Sequence, residues 1–161
     1  MNIQIPKEKY YKNLPKKRIG VGCILFNDKN ELLIVKPSYK DHWSVPGGVI
    51  DGDESPRLAC IREIKEEIGL DVLDLKFLCV EYKSAKEGKD ENLQFIFQGE
   101  ILSSSQIKRM KLPAKELNEY KFVKPEEALL MLNENLKNRL EKCLKYIDKN
   151  KAIYLENGKE I

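Results

Sequence analysis

The chain has 161 residues, of which 42% are hydrophobic and 34% charged, a composition that suits one globular domain and excludes a disordered or membrane-embedded chain. The formal net charge of +3 is too small to argue for nucleic acid as a partner. The four cysteines form no C-x-x-C pair, and the first residues lack a signal-peptide core. We therefore expect a soluble, cytoplasmic protein without a membrane partner.

The N-terminal part of the chain divides into a polar arm and the start of an ordered domain. Residues 1–16 form the arm, residues 17–147 the domain and residues 148–161 a C-terminal tail. Within the domain, the β-rich residues 19–26 and 31–36 are separated by the turn-forming residues 27–30. This pattern predicts a β-hairpin.

A helix is predicted over residues 55–68, shortly after the sequence Pro46-Gly47-Gly48. Ser55 suits the N-cap, Pro56 the first helical position, and Gly69 the left-handed residue that ends a helix. The proline and the two glycines before it force a tight backbone that cannot continue a central strand.

The rest of the chain predicts strands over residues 75–82 and 93–102 around a polar loop at 85–92, and a short strand over 120–123. A helical pattern begins at Pro125 and is interrupted near residues 133–135. The Asn157-Gly158 pair predicts a turn, so the tail either folds as a hairpin or stays mobile. Strands around a central helix, with further helices at the end, indicate a mixed β-sheet covered by helices on its faces.

The helix over residues 55–68 has two different faces. Cys60, Ile61, Ile64 and Ile68 fall on one apolar arc, whereas the carboxylates fall on another, namely Glu63, Glu66 and Glu67. Like charges at this spacing repel one another on a helix. Arg62 offers one compensating partner and a hard divalent cation offers another. Taken alone, three glutamates on a helix are most often a solvated face.

Read together with the preceding loop, the same residues resemble the Nudix box, G-x5-E-x7-R-E-U-x-E-E-x-G-U with U a bulky aliphatic residue. Residues 47–70 read GGVIDGDESPRLACIREIKEEIGL, and every specified position matches: Gly48, Glu54, Arg62, Glu63, Ile64, Glu66, Glu67, Gly69 and Leu70. The chain is therefore similar to Nudix (MutT-like) hydrolases. The resemblance implies an α/β/α sandwich with a mixed β-sheet and Mg²⁺-dependent hydrolysis of a nucleoside diphosphate linked to another moiety.

The resemblance also implies roles for the residues of the box. Glu63 and Glu67 correspond to the principal metal ligands, and Glu66 to a ligand or a contact to metal-bound water. The backbone carbonyl of Gly47 or Gly48 completes the metal shell in some members. Arg62 is expected to pair with Glu54 and to align the glutamates. Mg²⁺ is the expected cofactor, with Mn²⁺ as a substitute.

The sequence does not decide which group acts as the general base. Members of the family differ in this respect, and Glu91, Glu116 and Glu119 are the candidates outside the box. Candidates for substrate contacts are Arg18, Lys36 and Tyr39, with Lys16, Lys17 and Lys40 also able to reach a phosphate. His42 and Trp43 are expected to be structural, and the cysteines to be packed thiols.

Several functions remain open. The substrate is expected to be a small nucleotide: a nucleoside triphosphate, nucleotide sugar, ADP-ribose or dinucleoside polyphosphate. A proline that tends to mark ADP-ribose enzymes is absent near residues 84–86. A non-catalytic nucleotide-binding regulator is an alternative that the intact glutamates disfavour. An RNA-end-processing enzyme is another, for which the cluster at residues 16–18 is thin support. A homodimer also stays open.

Overall fold

A computed structural model describes residues 6–86, 88–113, 116–149 and 151–161, so expectations for residues 1–5 lie outside it. Within these ranges the chain forms, in order, the following elements: α1 (Lys7–Lys12), β1 (Arg18–Ile24), β2 (Leu32–Pro37), α2 (Pro56–Ile68), β3 (Leu75–Lys83), β4 (Asn92–Gly99), α3 (Ser104–Arg109), β5 (Leu117–Val123), α4 (Pro125–Met131), α5 (Glu134–Lys145), β6 (Ile153–Glu156) and β7 (Lys159–Glu160).

Two sheets organise the molecule. The larger has the strand order β1-β4-β3-β6-β7, in which β1/β4 and β3/β6 are parallel and β4/β3 and β6/β7 are antiparallel. The smaller consists of β2 and β5, paired antiparallel. The expected mixed sheet is therefore confirmed. Within the described ranges, no helix is both long and apolar enough to span a membrane.

Helices cover both faces of the larger sheet, because side chains alternate along its strands. On one face, Cys23 and Leu25 of β1 belong to a buried cluster with Cys60, Ile64 and Ile68 of α2. On the other face, Ile24 packs in a cluster with residues of β4, α4 and α5, including Ile96, Ala128, Leu140 and Cys143. This arrangement confirms the α/β/α sandwich.

Helix α2 follows the local signals in its sequence. The Ser55 side chain accepts a hydrogen bond from the Leu58 N–H, and Pro56 opens the helix. Gly69 ends it in the left-handed conformation, with φ of 73°, and its N–H donates to the Lys65 carbonyl at 3.0 Å. The helix is therefore fixed at both ends, which holds its glutamates in a defined position next to the loop before it.

The hairpin predicted over residues 19–26 and 31–36 forms only next to its turn, where Phe26 pairs antiparallel with Leu32. Asn27 holds a tight turn by accepting from the N–H groups of Lys29 and Glu31, and Leu33 donates to the Leu25 carbonyl at 2.8 Å. The two strands then separate, since β1 pairs with β4 and β2 with β5. The reason is that β2 is buried on both faces, so it lies between the two cores rather than at the side of one sheet.

Other differences are smaller. The polar arm contains the short exposed helix α1, and α3 was not predicted although Ser103 and Gln106 form a capping box there. The strand predicted over 93–102 ends at Gly99, and the one predicted over 120–123 begins at Leu117. The helical pattern after Pro125 is interrupted as expected, because Asn133 caps a new helix, α5.

The end of the chain extends the larger sheet. Asn157 and Gly158 have positive φ angles of 49° and 83°, which is the geometry of a two-residue hairpin turn. The turn joins β6 to β7, and β6 pairs in parallel with β3. The hairpin is thus part of the sheet that carries the cavity described below.

Candidate active site

The turn containing Pro46, Gly47 and Gly48 lies along the free edge of β1. Backbone hydrogen bonds join the two segments, from Cys23 N–H to the Pro46 carbonyl and from Val21 N–H to the Gly48 carbonyl, both at 2.8 Å. A third bond runs from Ile50 N–H to the Ile19 carbonyl at 3.0 Å. The turn is therefore held against the sheet while its other side faces α2.

Glycine occupies two successive positions of this turn, and an added side chain would meet a different obstacle at each. At Gly47, φ is 147° and an added Cβ would lie 2.2 Å from the Val21 carbonyl oxygen. At Gly48, an added Cβ would lie 2.4 to 2.6 Å from the carboxylate atoms of Glu63. The Glu63 carboxylate therefore lies directly against the backbone of the turn, and a side chain at Gly48 would displace it.

Glu67 is the most buried of the three glutamates, with 8% of its surface exposed. Its Oε2 accepts a hydrogen bond from the Gly47 N–H at 2.8 Å. Burial raises the pKa of Glu67 to about 7, an effect that the Gly47 hydrogen bond partly opposes and the charges of Glu63 and Glu116 reinforce. In the absence of a cation this carboxyl group is therefore partly protonated near neutral pH.

Arg62 lies at the centre of an ionic network with the other carboxylates. Its Nη1 is 2.9 Å from one oxygen of Glu63 and 2.9 Å from one oxygen of Glu66, while its Nε and Nη2 bond to Glu54. The hydrogen bond to Arg62 is the main cause that lowers the pKa of Glu54. Burial, in contrast, raises the pKa of Glu63.

Among the described residues, no group of three or more His, Cys, Asp or Glu side chains lies in an arrangement that would hold a metal ion. The carboxylates of Glu63 and Glu66 turn towards Arg62, and that of Glu67 turns towards Gly47. The donor set itself suits a hard cation, because it consists of carboxylate oxygens beside backbone carbonyls at a glycine turn. These residues therefore fit Mg²⁺ by their chemistry.

A cavity of about 520 Å³ opens beside these carboxylates, a volume suited to a nucleotide-sized ligand. Glu63, Glu66, Glu67 and Glu116 line it on the side of α2 and the loop before β5. Its wall also includes the glycine turn, the loop after β2, and residues of β1, β4 and α5 such as Arg18, Gln94 and Arg139. Residues far apart in the sequence thus meet around one space.

The candidates outside the box are distributed unevenly around this cavity. Arg18, Tyr39, Lys40 and Glu116 line it. Lys36 lies opposite Glu119 in the β2/β5 pair, and within the described ranges neither belongs to the lining. Glu119 forms an ion pair with Lys121 at 3.3 Å. The structure thus brings some of the predicted substrate and base candidates to the site and leaves others outside.

Glu91 and His42 are engaged elsewhere. Glu91 bonds to Lys17 and to the Tyr82 hydroxyl, and the bond from Lys17 is the main cause that lowers its pKa. The Nδ1 atom of His42 lies 3.2 Å from the Trp43 carbonyl oxygen and 3.4 Å from the Asn133 amide. Trp43 lies under the Lys121 ammonium group.

Among the cavity residues that the sequence did not indicate are Gln94 on β4 and Arg139 on α5. Arg139 occupies the apolar face of α5 together with Leu136, Leu140 and Cys143, so a charged residue at an apolar position of the helix was the available signal. Gln94 has no comparable signal, because alternation along a strand does not show which polar side chain faces a cavity.

The α/β/α fold and the carboxylate-bearing helix beside a glycine turn define a class of Nudix-like proteins, and comparison with known proteins agrees. The NUDIX domain family matches residues 16–146, and the chain belongs to this family. Among solved structures, the MutT protein from Methanosarcina mazei Go1 superposes with a TM-score of 0.69 at 23% identity, over 85% of this chain and 100% of that one.

Curated relatives match only through a shorter segment. The m7GpppN-mRNA hydrolase of Saccharomyces cerevisiae is 42% identical over 67 residues, which is 41% of this chain and 6% of that protein. The RNA pyrophosphohydrolase of Marinomonas sp. is 44% identical over 54 residues, 34% of each chain. The similarity thus spans about a third or less of these relatives' own length.

Proposed function

We propose that this protein is a Mg²⁺-dependent pyrophosphohydrolase that cleaves a nucleoside diphosphate linked to another moiety. The observation that carries the proposal is the placement of Glu63, Glu66 and Glu67 against the Gly47–Gly48 turn, in the wall of a cavity of about 520 Å³. Membership of the Nudix family and the names of the relatives support the same class of reaction.

Mg²⁺, or Mn²⁺ in its place, would be held by Glu63, Glu66 and Glu67 together with a backbone carbonyl of the glycine turn. The Gly48 carbonyl already accepts a hydrogen bond from the Val21 N–H. When bound, such a cation neutralises the anhydride oxygens and lowers the pKa of an attacking water. The protein prepares this site by fixing the Glu67 carboxylate through the Gly47 N–H.

Arg62 acts in this proposal as a positioning residue. Arg62 bonds to Glu54 in the loop before α2 as well as to Glu63 and Glu66 on the helix. It therefore fixes the carboxylates of Glu63 and Glu66 relative to that loop. Rotation of either carboxylate towards a cation breaks one bond to Arg62, and the remaining bonds to Glu54 and the Val49 carbonyl keep the guanidinium in place. The network therefore tolerates the exchange.

Glu116 is the best-placed candidate for the general base. It lines the cavity, and its charge contributes to the raised pKa of Glu67, so the two carboxylates are close enough to interact. Its backbone is held next to the end of β2 by a hydrogen bond from the Ser38 N–H to its carbonyl at 2.9 Å. Arg18, Tyr39 and Lys40 are left to contact the nucleotide.

Processing of RNA 5′ ends is the second candidate function. The matched relatives are an mRNA-cap hydrolase and an RNA pyrophosphohydrolase. A second cavity of about 610 Å³ shares Arg18 and Asn135 with the first and is also lined by Lys83 and Lys89. Basic side chains leading away from the carboxylates suit the backbone phosphates of a longer chain. In either case, four free buried cysteines support a cytoplasmic location.

The deciding experiment is a substrate panel with Mg²⁺, read out by the identity of the products. The panel comprises the four nucleoside triphosphates, ADP-ribose, a nucleotide sugar, a dinucleoside tetraphosphate and a 5′-triphosphorylated oligoribonucleotide. We expect turnover of at least one member, abolished by EDTA. Silence across the panel with both Mg²⁺ and Mn²⁺ would contradict an enzymatic role and support a nucleotide-binding regulator.

A further inference from the structure

Arg139, which lines the cavity, forms an ion pair with Glu81. Arg139 is 7% exposed and Glu81 1%, and the Arg139 Nε donates to Glu81 Oε2. A buried ion pair contributes little net stability, because both charges lose their hydration. Arg139 nevertheless lines the cavity, so part of this buried side chain borders the space that a ligand would occupy. These facts point to a binding role.

The pair lies at the end of the cavity away from the carboxylates. Val49 pairs with Gly20 of β1, Gly20 with Gln94 of β4, and Gln94 with Glu81 of β3. With neighbouring strands about 4.8 Å apart, Glu81 lies roughly 14 Å across the sheet from Val49. A ligand whose phosphates lie beside the glycine turn therefore extends its other end towards Arg139.

Between these two ends of the cavity, the sheet surface carries no side chain at Gly20. An added Cβ there would come within 2.7 Å of the Gln94 Oε1 atom, so the Gln94 side chain lies across the glycine. Gln94 donates through Nε2 to the Asn92 Oδ1 at 2.8 Å, which holds the amide plane across Gly20. This surface suits a flat group that lies over an amide.

The position of Arg139 favours contact with the base of a nucleotide, because the phosphates lie at the other end, beside the glycine turn. Glu81 accepts from Arg139 through one oxygen and lies 3.8 Å from Lys83 Nζ through the other. The cavity side chains on β4 and around α5 are the amides of Gln94, Asn133 and Asn135 and the apolar Ile96 and Leu136. A guanidinium carries donors only. It therefore requires acceptor atoms on the ligand, and it is unfavourable for a ligand to place an amino group there.

We propose that Arg139, oriented by Glu81, is a nucleobase-specificity residue that selects 6-oxopurines over 6-aminopurines. The inference rests on the proposed function only in assuming a nucleotide ligand. Arginine matches the adjacent O6 and N7 acceptors of a 6-oxopurine, whereas adenine presents an amino donor at the same position. The expected discrimination is about 10- to 100-fold in affinity.

The first test compares binding of IMP and AMP to the wild-type protein by isothermal titration calorimetry. Neither ligand has an anhydride bond, so the result does not depend on hydrolysis. IMP also lacks the 2-amino group of guanine, so the comparison isolates position 6. We expect IMP to bind at least about 10-fold more tightly. Equal affinities overturn the proposal without the need for any variant.

Two variants then assign the effect to Arg139. Arg139→Lys keeps a positive charge beside Glu81 but loses the planar pair of donors. The double variant E81Q/R139Q removes both charges together, which avoids leaving one of them unpaired. In E81Q/R139Q we expect the preference for IMP to fall to within about threefold, mainly through loss of IMP affinity, whereas Arg139→Lys should keep part of the preference because an ammonium group also donates to O6 and N7. Arg109→Gln on the exposed helix α3 is the matched control.

Two further results separate this inference from the proposed function. An equal loss of IMP and AMP affinity in both variants means that Arg139 binds phosphate, and it overturns the base assignment. Turnover of ITP and ATP with Mg²⁺ is measured in parallel. Selective IMP binding without turnover of these triphosphates or of any other member of the substrate panel supports the base subsite and contradicts the hydrolase. Turnover of ITP and ATP at equal kcat/KM supports the hydrolase and contradicts the base subsite.

Discussion

The Oε2 atom of Glu67 and the backbone N–H of Gly47 are joined by a hydrogen bond of 2.8 Å. This bond connects the last turn of α2 to the glycine turn that lies on the edge of β1. It fixes one carboxylate of the proposed metal site before any cation is present. The direction of that carboxylate is therefore a property of the fold.

Replacing Glu67 with glutamine tests its proposed role as a metal ligand. The glutamine oxygen can still accept from Gly47, so the fold should be retained, whereas the negative charge for the cation is lost. We expect turnover to fall by about 100-fold or more, since even residues that support metal ligands cost about 10- to 100-fold. Steady-state kinetics and thermal unfolding should be measured together, with the exposed Glu127→Gln as the control.

The raised pKa of Glu67 predicts a specific pH dependence of stability without metal. Since the folded-state value of about 7 lies above the unfolded value of 4.5, the fold favours the protonated group. Its contribution is fully present below pH 4.5 and is lost as the pH rises through about 7. In EDTA, we expect Tm to fall from pH 5.5 to 8, and to fall less in Glu67→Gln.

Added Mg²⁺ should reverse this trend, because metal ligands must be deprotonated. The increase of Tm on adding Mg²⁺ should be larger at pH 8 than at pH 6. A magnesium effect that is equal at the two pH values, or that persists in Glu67→Gln, contradicts the assignment of this carboxylate as a ligand.

Glu116 and Glu91 are two candidate bases that the structure places differently. Glu116 lines the cavity, while Glu91 bonds to Lys17 and the Tyr82 hydroxyl. Glu116→Gln should lower kcat by about 10²-fold or more, the usual contribution of a general base, with little change in KM. Glu91→Gln should leave kcat within about twofold. If kcat, measured as a function of pH, falls more in Glu91→Gln than in Glu116→Gln, the assignment of Glu116 as the base is contradicted in favour of Glu91.

The two glycines of the turn should respond differently to alanine. At Gly48 the three atoms nearest to the new methyl group all belong to the Glu63 carboxylate, so we expect Glu63 to move and activity to fall by about 10- to 100-fold with Tm nearly unchanged. At Gly47 it meets the Val21 carbonyl at a φ of 147°, so Tm itself should fall. Thermal unfolding and steady-state kinetics of both variants test this difference. Equal losses of Tm in the two variants would contradict it.

The cysteines should be unreactive in the folded protein. All four are buried; burial raises the pKa of the Cys23 thiol, and a hydrogen bond with Cys79 raises that of Cys143. Ellman's reagent at pH 8 should therefore label none within minutes and four after guanidinium is added. Rapid labelling of a native thiol would contradict the packing described for β1, β3, α2 and α5.

Local signals in the sequence predicted what depends on neighbouring residues. Ser55, Pro56 and Gly69 fix the ends of α2 through a cap, a rigid φ and a left-handed residue, and the structure reproduces each. The Asn157-Gly158 turn is local in the same sense. The spacing of the glutamates along α2 follows from the period of the helix, so their shared side could be predicted as well.

Pairing between distant segments could not be predicted in this way. The runs around residues 27–30 have the pattern of a hairpin, but Leu32 and Leu33 are both buried in opposite cores, and the choice of β5 as partner depends on the whole fold. The position of Glu116 is set by a loop, and that of Arg139 by the packing of α5 on the sheet. Neither position can be predicted from the neighbouring residues in the sequence.

The glycine turn also covers the outer edge of β1, which has β4 as its other neighbour. An uncovered edge strand offers free N–H and C=O groups to another molecule and invites aggregation. The glycine turn, which belongs to the proposed cation site, thus also prevents edge-to-edge association of β1 with another molecule. Substitutions that detach it should yield protein that is insoluble as well as inactive, so a loss of soluble yield on mutating this turn reports on the sheet edge and not on the chemistry.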